Sequence, residues 1–552
     1  MTENRTTWLD QPVSSVLRLD WEKALYIALF ALAVLTRFWD LGARAISHDE
    51  SLHTYYAWEL YRGQGFSHTP LMHGPFKFHV NALIYALFGV DDFTARIAPA
   101  LFGVALVMTP YLFRPWLGRR GALVTAFFIL ISPSILYHAR YIRDEVYMLL
   151  FGALMLWAML SHIRTRQRKW LYLLAALTAL MYVTMEASFI YIAIFGLFAV
   201  VLAAVEIGRD AGWGREGVGG TLLGVLLALA LVGAGIILGA RVLDWLRPAA
   251  PVDGSAYTLG QWLPSLGLMA LIGMVIGAGA YYLLRSFVPA SARRSAGLDV
   301  VVILGGLSLF MLSPTPLLLL NYRIGADPAN TVWGLLSGAG DALYVDAGFF
   351  SGGNFPIDPV NMVNVARLTF LVVCSAVLAF GLGLWWDSRA WLISIGIFGG
   401  ITVVLFTTVL SNSLGLGTGF VGSLGYWLVQ QEVQRGSQPP GYYFFVTSFY
   451  EYLPMLLSLV AIGYYGRKLL TGRSTVLKGA RHLEMPSTDL SQTALVPILL
   501  GWTILAWAIY TAAGEKMPWL MVHLALPMIF LSGRLIGDWF DRIDWRGVAA
   551  RR

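Results

Sequence analysis

Long unbroken apolar runs recur along almost the whole chain, and they decide what it can fold into. They cover residues 24–38, 94–113, 122–135, 146–161, 170–185, 189–205, 222–240, 263–284, 301–320, 368–386, 391–410, 443–465, 494–510 and 519–531. A helix needs about 20 apolar residues to cross a bilayer, and only a helix satisfies its own backbone there. The runs therefore predict an all-α, polytopic transmembrane protein with about 14 spans. A porin-like barrel is excluded, because its short alternating strands leave no such runs. Hydrophobic residues make up 57% of the 552 and charged ones 13%, with mean hydropathy +0.65, which no soluble multidomain chain of this length would show. The first run follows a polar segment with no cleavage signature, so it reads as a retained span. The one cysteine, Cys374, lies in an apolar run and supports neither a disulfide framework nor a thiolate cluster.

The net charge of +7 would suit a nucleic-acid binder if the basic residues were clustered. They are instead spread over alternate loops: Arg114, Arg119 and Arg120; Arg164, Arg166, Arg168 and Lys169; Arg209 and Arg215; Arg285, Arg293 and Arg294; Arg467 to Arg481; and the tail from Arg542. Short basic loops stay in the cytoplasm, which predicts both termini there, a cell (inner) membrane location and no nucleic-acid partner. The intervening loops, 40–93, 137–145, 241–262, 321–367, 411–442 and 514–518, are then extracytoplasmic. Almost every Asp and Glu falls at a span end rather than mid-span, where ion-coupled transporters place their acids. The chain divides into a 1–23 cytoplasmic segment, a 24–240 transmembrane module with its first outer loop at 40–93, a 241–442 region with long loops, the 443–531 spans and a 532–552 basic tail.

The first outer loop carries two amphipathic stretches, 50–61 and 75–88, suited to the headgroup interface; a short re-entrant span is the alternative for the second. His48-Asp49-Glu50 sits just after the first span. A carboxylate there can serve as a general base, and two adjacent acids raise each other's pKa; the plainer reading is that Asp49 caps a helix. The segment from His138 through Arg140, Arg143, Asp144 and Glu145 sets guanidinium groups, which match phosphate geometry, beside two acids. It would also serve as a salt-bridge cluster closing a hairpin. Glu515-Lys516-Met517-Pro518-Trp519 forms the last outer turn, where Lys516 would meet an anion or merely anchor the interface with Trp519. His48, His53, His68, His73, His79 and His138 are all placed outside, and a divalent metal shared with Asp49 or Asp144 is one use for them, hydrogen bonding another. Tyr442, Tyr443 and Glu451 form a polar and aromatic patch at the twelfth run, either an interfacial belt or part of a site.

Taken in order, these segments resemble the GT-C superfamily of membrane glycosyltransferases, and within it the branch of protein O-mannosyltransferases and lipid A aminoarabinose transferases. Asp49-Glu50 matches the acidic motif of that family's first extracytoplasmic loop, and the two amphipathic stretches match its juxtamembrane helices. The segment from His73-Gly74-Pro75 to Gly89, then Asp92-Phe93-Thr94-Ala95-Arg96, looks like its run into the second span, and 140–145 matches its arginine and acid turn. Segments 436–443 and 515–523 look more like a prokaryotic subgroup labelled as associated with flippase activity. The resemblance implies a polyprenyl-phosphate sugar donor, a protein, lipid or glycan acceptor, and a single inverting displacement with Asp49 as base, Glu50 beside it. Arg140, Arg143, Lys516, Arg62 and His73 would then stabilise the leaving phosphate, with Asp144, Glu145, His48, His138, Tyr442, Tyr443, Glu451 and Glu515 in support or at the acceptor. The sequence has His73 where the aminoarabinose transferases carry a lysine. Two other readings share these features: a lipid-linked-sugar transporter or flippase component, and a non-catalytic subunit that keeps the fold.

Overall fold

The computed structural model describes residues 20–245, 259–315, 359–412, 415–430, 438–471 and 487–543. Among the described residues every regular element is helical. The principal helices are α1 (Trp21–Phe38), α2 (His48–Tyr61), α3 (Phe76–Phe88), α4 (Ile97–Met108), α5 (Arg114–Ile131), α6 (Pro133–His138), α7 (Glu145–Thr165), α8 (Lys169–Tyr182) and α9 (Ala187–Ala211). They continue with α10 (Val218–Trp245), α11 (Leu259–Phe287), α12 (Ala296–Met311), α13 (Pro359–Phe406), α14 (Tyr442–Tyr450), α15 (Tyr452–Leu470), α16 (Ser487–Ala512) and α17 (Met521–Arg542).

Each expected run holds a helix in its described part, and the protein is a multi-pass membrane protein. Eight described helical stretches are long and apolar enough to cross a bilayer, or nine if α14 and α15, bent by 112°, count as one. Among the described residues, length and composition alone count fewer than the expected 14 or so crossings. One source of the difference is breaks inside long stretches. Thr94–Ile131 contains Gly118 at φ 74°, and Pro359–Phe406 contains the extended Asp387, each beside basic residues. The other source is helices that fall short. The 18-residue α1 carries Glu22, Lys23 and Arg37, while α8 and α12 have only 14 and 16 residues.

Polar side chains fasten α1 to α5 at both ends. The Arg114 Nε lies 2.7 Å from Glu22 Oε1 where both helices begin. At the far end, Arg37 is fully buried and donates to the carbonyls of Leu130 (3.0 Å) and Ile129 (3.1 Å), which end α5. The two helices thus run parallel, and the Gly118 break lies within the first turns of α5. Ion pairs tie the basic end together, among them Arg166 with Glu206, Arg168 with Asp387 and Arg120 with Asp541. The C-terminal α17 packs deep in the bundle against α5, and α16 against α7, so the end of the chain completes the core begun by its first half.

The two amphipathic stretches are helices α2 and α3, packed on each other through His53, Tyr56, Phe66 and Phe78. The apolar face expected of α3 is divided. Phe76 and Ile84 are buried in the protein core, whereas Leu83, Leu87 and Phe88 are exposed.

Candidate functional site

At the end of the bundle opposite the basic ion pairs, the starts of α2, α7, α9 and α17 converge. Ser47, not Asp49, precedes α2 as its N-cap, and the Ser47 amide donates to Glu50 Oε2 at 3.2 Å. Adjacent residues on a helix point about 100° apart. Asp49 and Glu50 consequently meet different partners, and the elevation expected of the Glu50 pKa does not arise. Glu50 is wholly buried. Its Oε1 accepts from Arg96 Nε (2.9 Å) and Arg44 Nη2 (2.8 Å), and its Oε2 from Arg96 Nη2 (2.8 Å). Burial alone would raise its pKa, but the Arg96 hydrogen bonds, the Ser47 amide and Arg44 outweigh it and leave it below the usual glutamate value. Glu50 thus pins the first loop to the start of α4, with no lone pair turned towards a cleft.

Asp49 keeps 33% of its side chain exposed, and its Oδ2 accepts from Arg143 Nη1. Arg143 is nearly buried and is shared three ways. Its Nε donates to Glu145 Oε1 at 2.9 Å, and its guanidinium carbon lies 3.6 Å from the centroid of the Trp519 ring. Flat stacking on an aromatic ring is a geometry that guanidinium adopts and ammonium does not.

Behind Arg143 lies a second charged layer. Lys77 and Asp144 are both removed from solvent, with Nζ 2.6 Å from Oδ2, and Nζ also donates to the Met72 carbonyl at 3.0 Å. Burial pushes the Asp144 pKa up and the Lys77 pKa down, against the pull of each on the other. Burial likewise holds the nearby His53 imidazole well below its ordinary pKa, with the cations of Lys77 and Arg143 adding to the effect. His138 is pushed down to about 4 by burial, against the opposing charge of Glu145.

His73 and Glu186 close the other side. The backbone of His73 is left-handed, at φ 61°, a conformation that costs a non-glycine residue energy and tends to persist where the surroundings impose it. Those surroundings are the turn after α8. The Gly74 amide donates to Thr184 O (3.0 Å) and the Phe76 amide to Val183 O (2.9 Å). This docking sets His73 Nδ1 2.7 Å from Glu186 Oε2. A small cleft of about 50 Å³ is lined by His73, Arg143, Glu186, Trp427, Glu515 and Trp519 among others.

The remaining sequence candidates are dispersed. Arg140 donates to Thr36 O (2.7 Å) and Asp40 O (3.3 Å), capping the end of α1. Arg62 stacks on Trp58 at 4.8 Å, and Lys516 donates to Ala513 O at 2.7 Å. His48 is exposed. Tyr443 is buried, its hydroxyl taking the Met517 amide at 3.1 Å, with Tyr442 beside it at 5.2 Å between ring centroids. Glu451 lies apart, at the bend between α14 and α15. There its Oε1 takes the hydroxyls of Ser132 and Ser134, both at 2.5 Å. Among the described residues no group of three or more His, Cys, Asp or Glu side chains is arranged to hold a metal ion. Lys77 and Glu186 were absent from the sequence candidates. Both are single charges set against apolar sequence, and that is the signal that could have found them.

Residues 72–234 match the family model described as dolichyl-phosphate-mannose-protein mannosyltransferase. The match takes in His73, Lys77, Arg143, Asp144 and Glu186, but not Asp49. No curated protein matches the chain in sequence. Among solved structures, it is similar to the archaeal oligosaccharyltransferase AglB from Archaeoglobus fulgidus, solved with an inhibitory peptide and a dolichol-phosphate. The TM-score is 0.44 at 12% identity, over 99% of this chain and 52% of that one. It is also similar to ArnT from Cupriavidus metallidurans bound to undecaprenyl phosphate, with TM-score 0.29 and 17% identity over 93% of this chain and 78% of that one. The chain spans about half the length of the archaeal enzyme.

Proposed function

We propose that the protein is a membrane glycosyltransferase that moves a sugar from a polyprenyl-phosphate donor to a hydroxyl-bearing acceptor by a single inverting displacement. The observation that carries this reading is the Asp49–Arg143 pair, which joins a partly exposed carboxylate to a cleft lined by Arg143, His73 and Trp519. The acceptor oxygen attacks the anomeric carbon as the bond from that carbon to the phosphate oxygen breaks. Asp49 takes the hydroxyl proton, and the phosphate leaves with the bonding pair. Charge grows on the phosphate as it leaves, so fixed cations facing it lower the barrier more than they favour the bound donor. Arg143 and His73 serve that role in the cleft, with Lys77 in the layer behind. Glu50, held by Arg96 and Arg44, is an anchor. Arg140, Arg62 and Lys516 are engaged elsewhere. The separation of the basic loops from this cleft supports an extracytoplasmic active face.

The test is turnover by the full chain in nanodiscs with a panel of radiolabelled polyprenyl-phosphate sugars, with and without a chelator. Product from at least one donor, lost in Asp49→Asn, is the expected result. Turnover that survives the substitution would remove Asp49 as base, and no product or binding with any donor would favour a non-catalytic subunit.

A further inference from the structure

A leaving phosphate asks for a cation that is present at the moment of cleavage, and an isolated histidine is mostly neutral at neutral pH. The surroundings of His73 answer this directly. Its Nδ1 is engaged by Glu186 at 2.7 Å, and Glu186 is buried, with a side chain only 4% exposed. The ring itself remains 24% exposed and lines the same cleft as Arg143. With Nδ1 turned to the carboxylate, Nε2 is the nitrogen left for a ligand.

We infer that Glu186 is the positioning residue that holds His73 as an imidazolium with Nε2–H directed into the cleft, so that the pair supplies the donor's phosphate with a pH-dependent cation. The inference rests on the transferase reading for the identity of the anion, but the Glu186–His73 coupling stands independently of it. Three features of the chain support it. The left-handed backbone at His73 is enforced by the docking of residues 74–76 on the 183–184 turn, which delivers the ring to Glu186. At Gly74 a Cβ would collide with the Val183 carbonyl, so that docking tolerates no side chain. Glu186 itself sits one residue before α9, fixed by the same turn.

The charges facing His73 come from several elements. Lys77 on α3 opposes its protonation, and Asp144 before α7 favours it. His68 and His53 couple to it weakly, and both are held neutral by burial. Arg143 and Glu515 line the same cleft. Burial works against charge on the ring, yet Glu186 outweighs it, and the His73 pKa lies above the ordinary histidine value. The imidazolium therefore persists to higher pH than that of an isolated histidine and is lost as pH rises through that raised value. Removing the Glu186 charge moves the loss to lower pH.

The experiment uses the full chain in nanodiscs, with undecaprenyl phosphate as the probe, measured across mildly acidic to mildly alkaline pH. In parallel, the His73 ring nitrogens are titrated by NMR, assigned by their loss in His73→Asn. Wild type should bind the lipid phosphate at mildly acidic pH and weaken as pH rises through the titration of the His73 ring. Glu186→Gln should move both the ring titration and the binding transition to lower pH. Once the transition lies below neutral pH, binding at neutral pH should weaken roughly tenfold for each further pH unit by which it moves. Glu186→Asp should restore part of the loss. His73→Lys should bind across the whole range and be indifferent to Glu186→Gln, which separates loss of charge from loss of fold. A ring titration identical in wild type and Glu186→Gln overturns the inference whatever the lipid does. Binding that is flat with pH in wild type overturns the phosphate role, while turnover of sugar donors continues to judge the transferase reading. No binding by wild type at any pH overturns that role together with the choice of donor.

Discussion

Lys77 and Asp144 face each other across the interior of the loop end, Nζ to Oδ2 at 2.6 Å, with neither side chain reaching solvent. Each charge is tolerable only because of the other, and together they join α3 to the start of α7, directly behind Arg143. Removing one partner strands the other. Lys77→Met should cost about 3–5 kcal/mol, and the double variant Lys77→Met/Asp144→Leu should recover most of that, since a buried pair is often no more stable than an apolar replacement. Thermal unfolding in detergent of the two singles and the double measures the cycle; a double variant as unstable as the sum of the singles would show that the pair is not the coupled unit.

Asp49 and Glu50 are neighbours with opposite expected phenotypes. Asp49→Asn should lower turnover roughly 10²–10⁴-fold, the range for loss of a general base, and leave the melting temperature unchanged. Glu50→Gln should lower the melting temperature, because Arg96 and Arg44 lose their counter-charge in a buried place. The pKa of Glu50 is below the usual glutamate value, so its contribution is fully present above that value and is lost as pH falls through the lowered one. Acid unfolding of wild type should show this loss, and the curve for Glu50→Gln should be flatter over the same interval.

Gly74→Ala places a methyl group where the Val183 carbonyl lies. The 74–76 segment must then lift from the 183–184 turn, with a stability loss of about 1–3 kcal/mol, the usual range for overpacking. His73 should lose its contact with Glu186 at the same time. The check is a melting curve together with the His73 ring titration, which should resemble that of Glu186→Gln.

Glu451 ends α14 and begins α15, and its Oε1 takes two serine hydroxyls and the Ser134 amide. Glu451→Gln keeps an acceptor oxygen there and should melt close to wild type. Glu451→Leu leaves those donors without a partner and should cost about 1–3 kcal/mol. Equal melting temperatures for the two variants would remove Glu451 as the bracket of the 112° bend.

The apolar runs made the helices legible because hydropathy acts locally, residue by residue, over whole turns. The crossing count was not legible in the same way. Glu22 and Arg37 stand at the two ends of the first run read as a span, and only the structure shows Arg114 and the carbonyls of Leu130 and Ile129 receiving them. Asp49 and Arg143 were readable from their places beside span ends. Lys77, inside Phe76-Lys77-Phe78, reads as a surface lysine on an amphipathic helix, because its partner Asp144 is 67 residues away. Glu186 was hidden for the same reason, its partner His73 being 113 residues distant. Arg140 carried as much apparent phosphate chemistry as Arg143, and only the third dimension shows that it is spent on the end of α1.

The double fastening of α1 to α5 has a mechanical consequence. Glu22 and Arg37 are separated by about 22 Å along a helix rising 1.5 Å per residue, several ångströms less than the roughly 30 Å thickness of a bilayer's hydrocarbon core. With both ends bolted to the same neighbour, the pair behaves as a strut of fixed draught. It can neither lengthen nor slide freely, so a bilayer around it would have to thin to match. The loop that bears Asp49 starts at the Arg37 end of that strut, so its distance from the Glu22 end is set by the protein and not by the lipid.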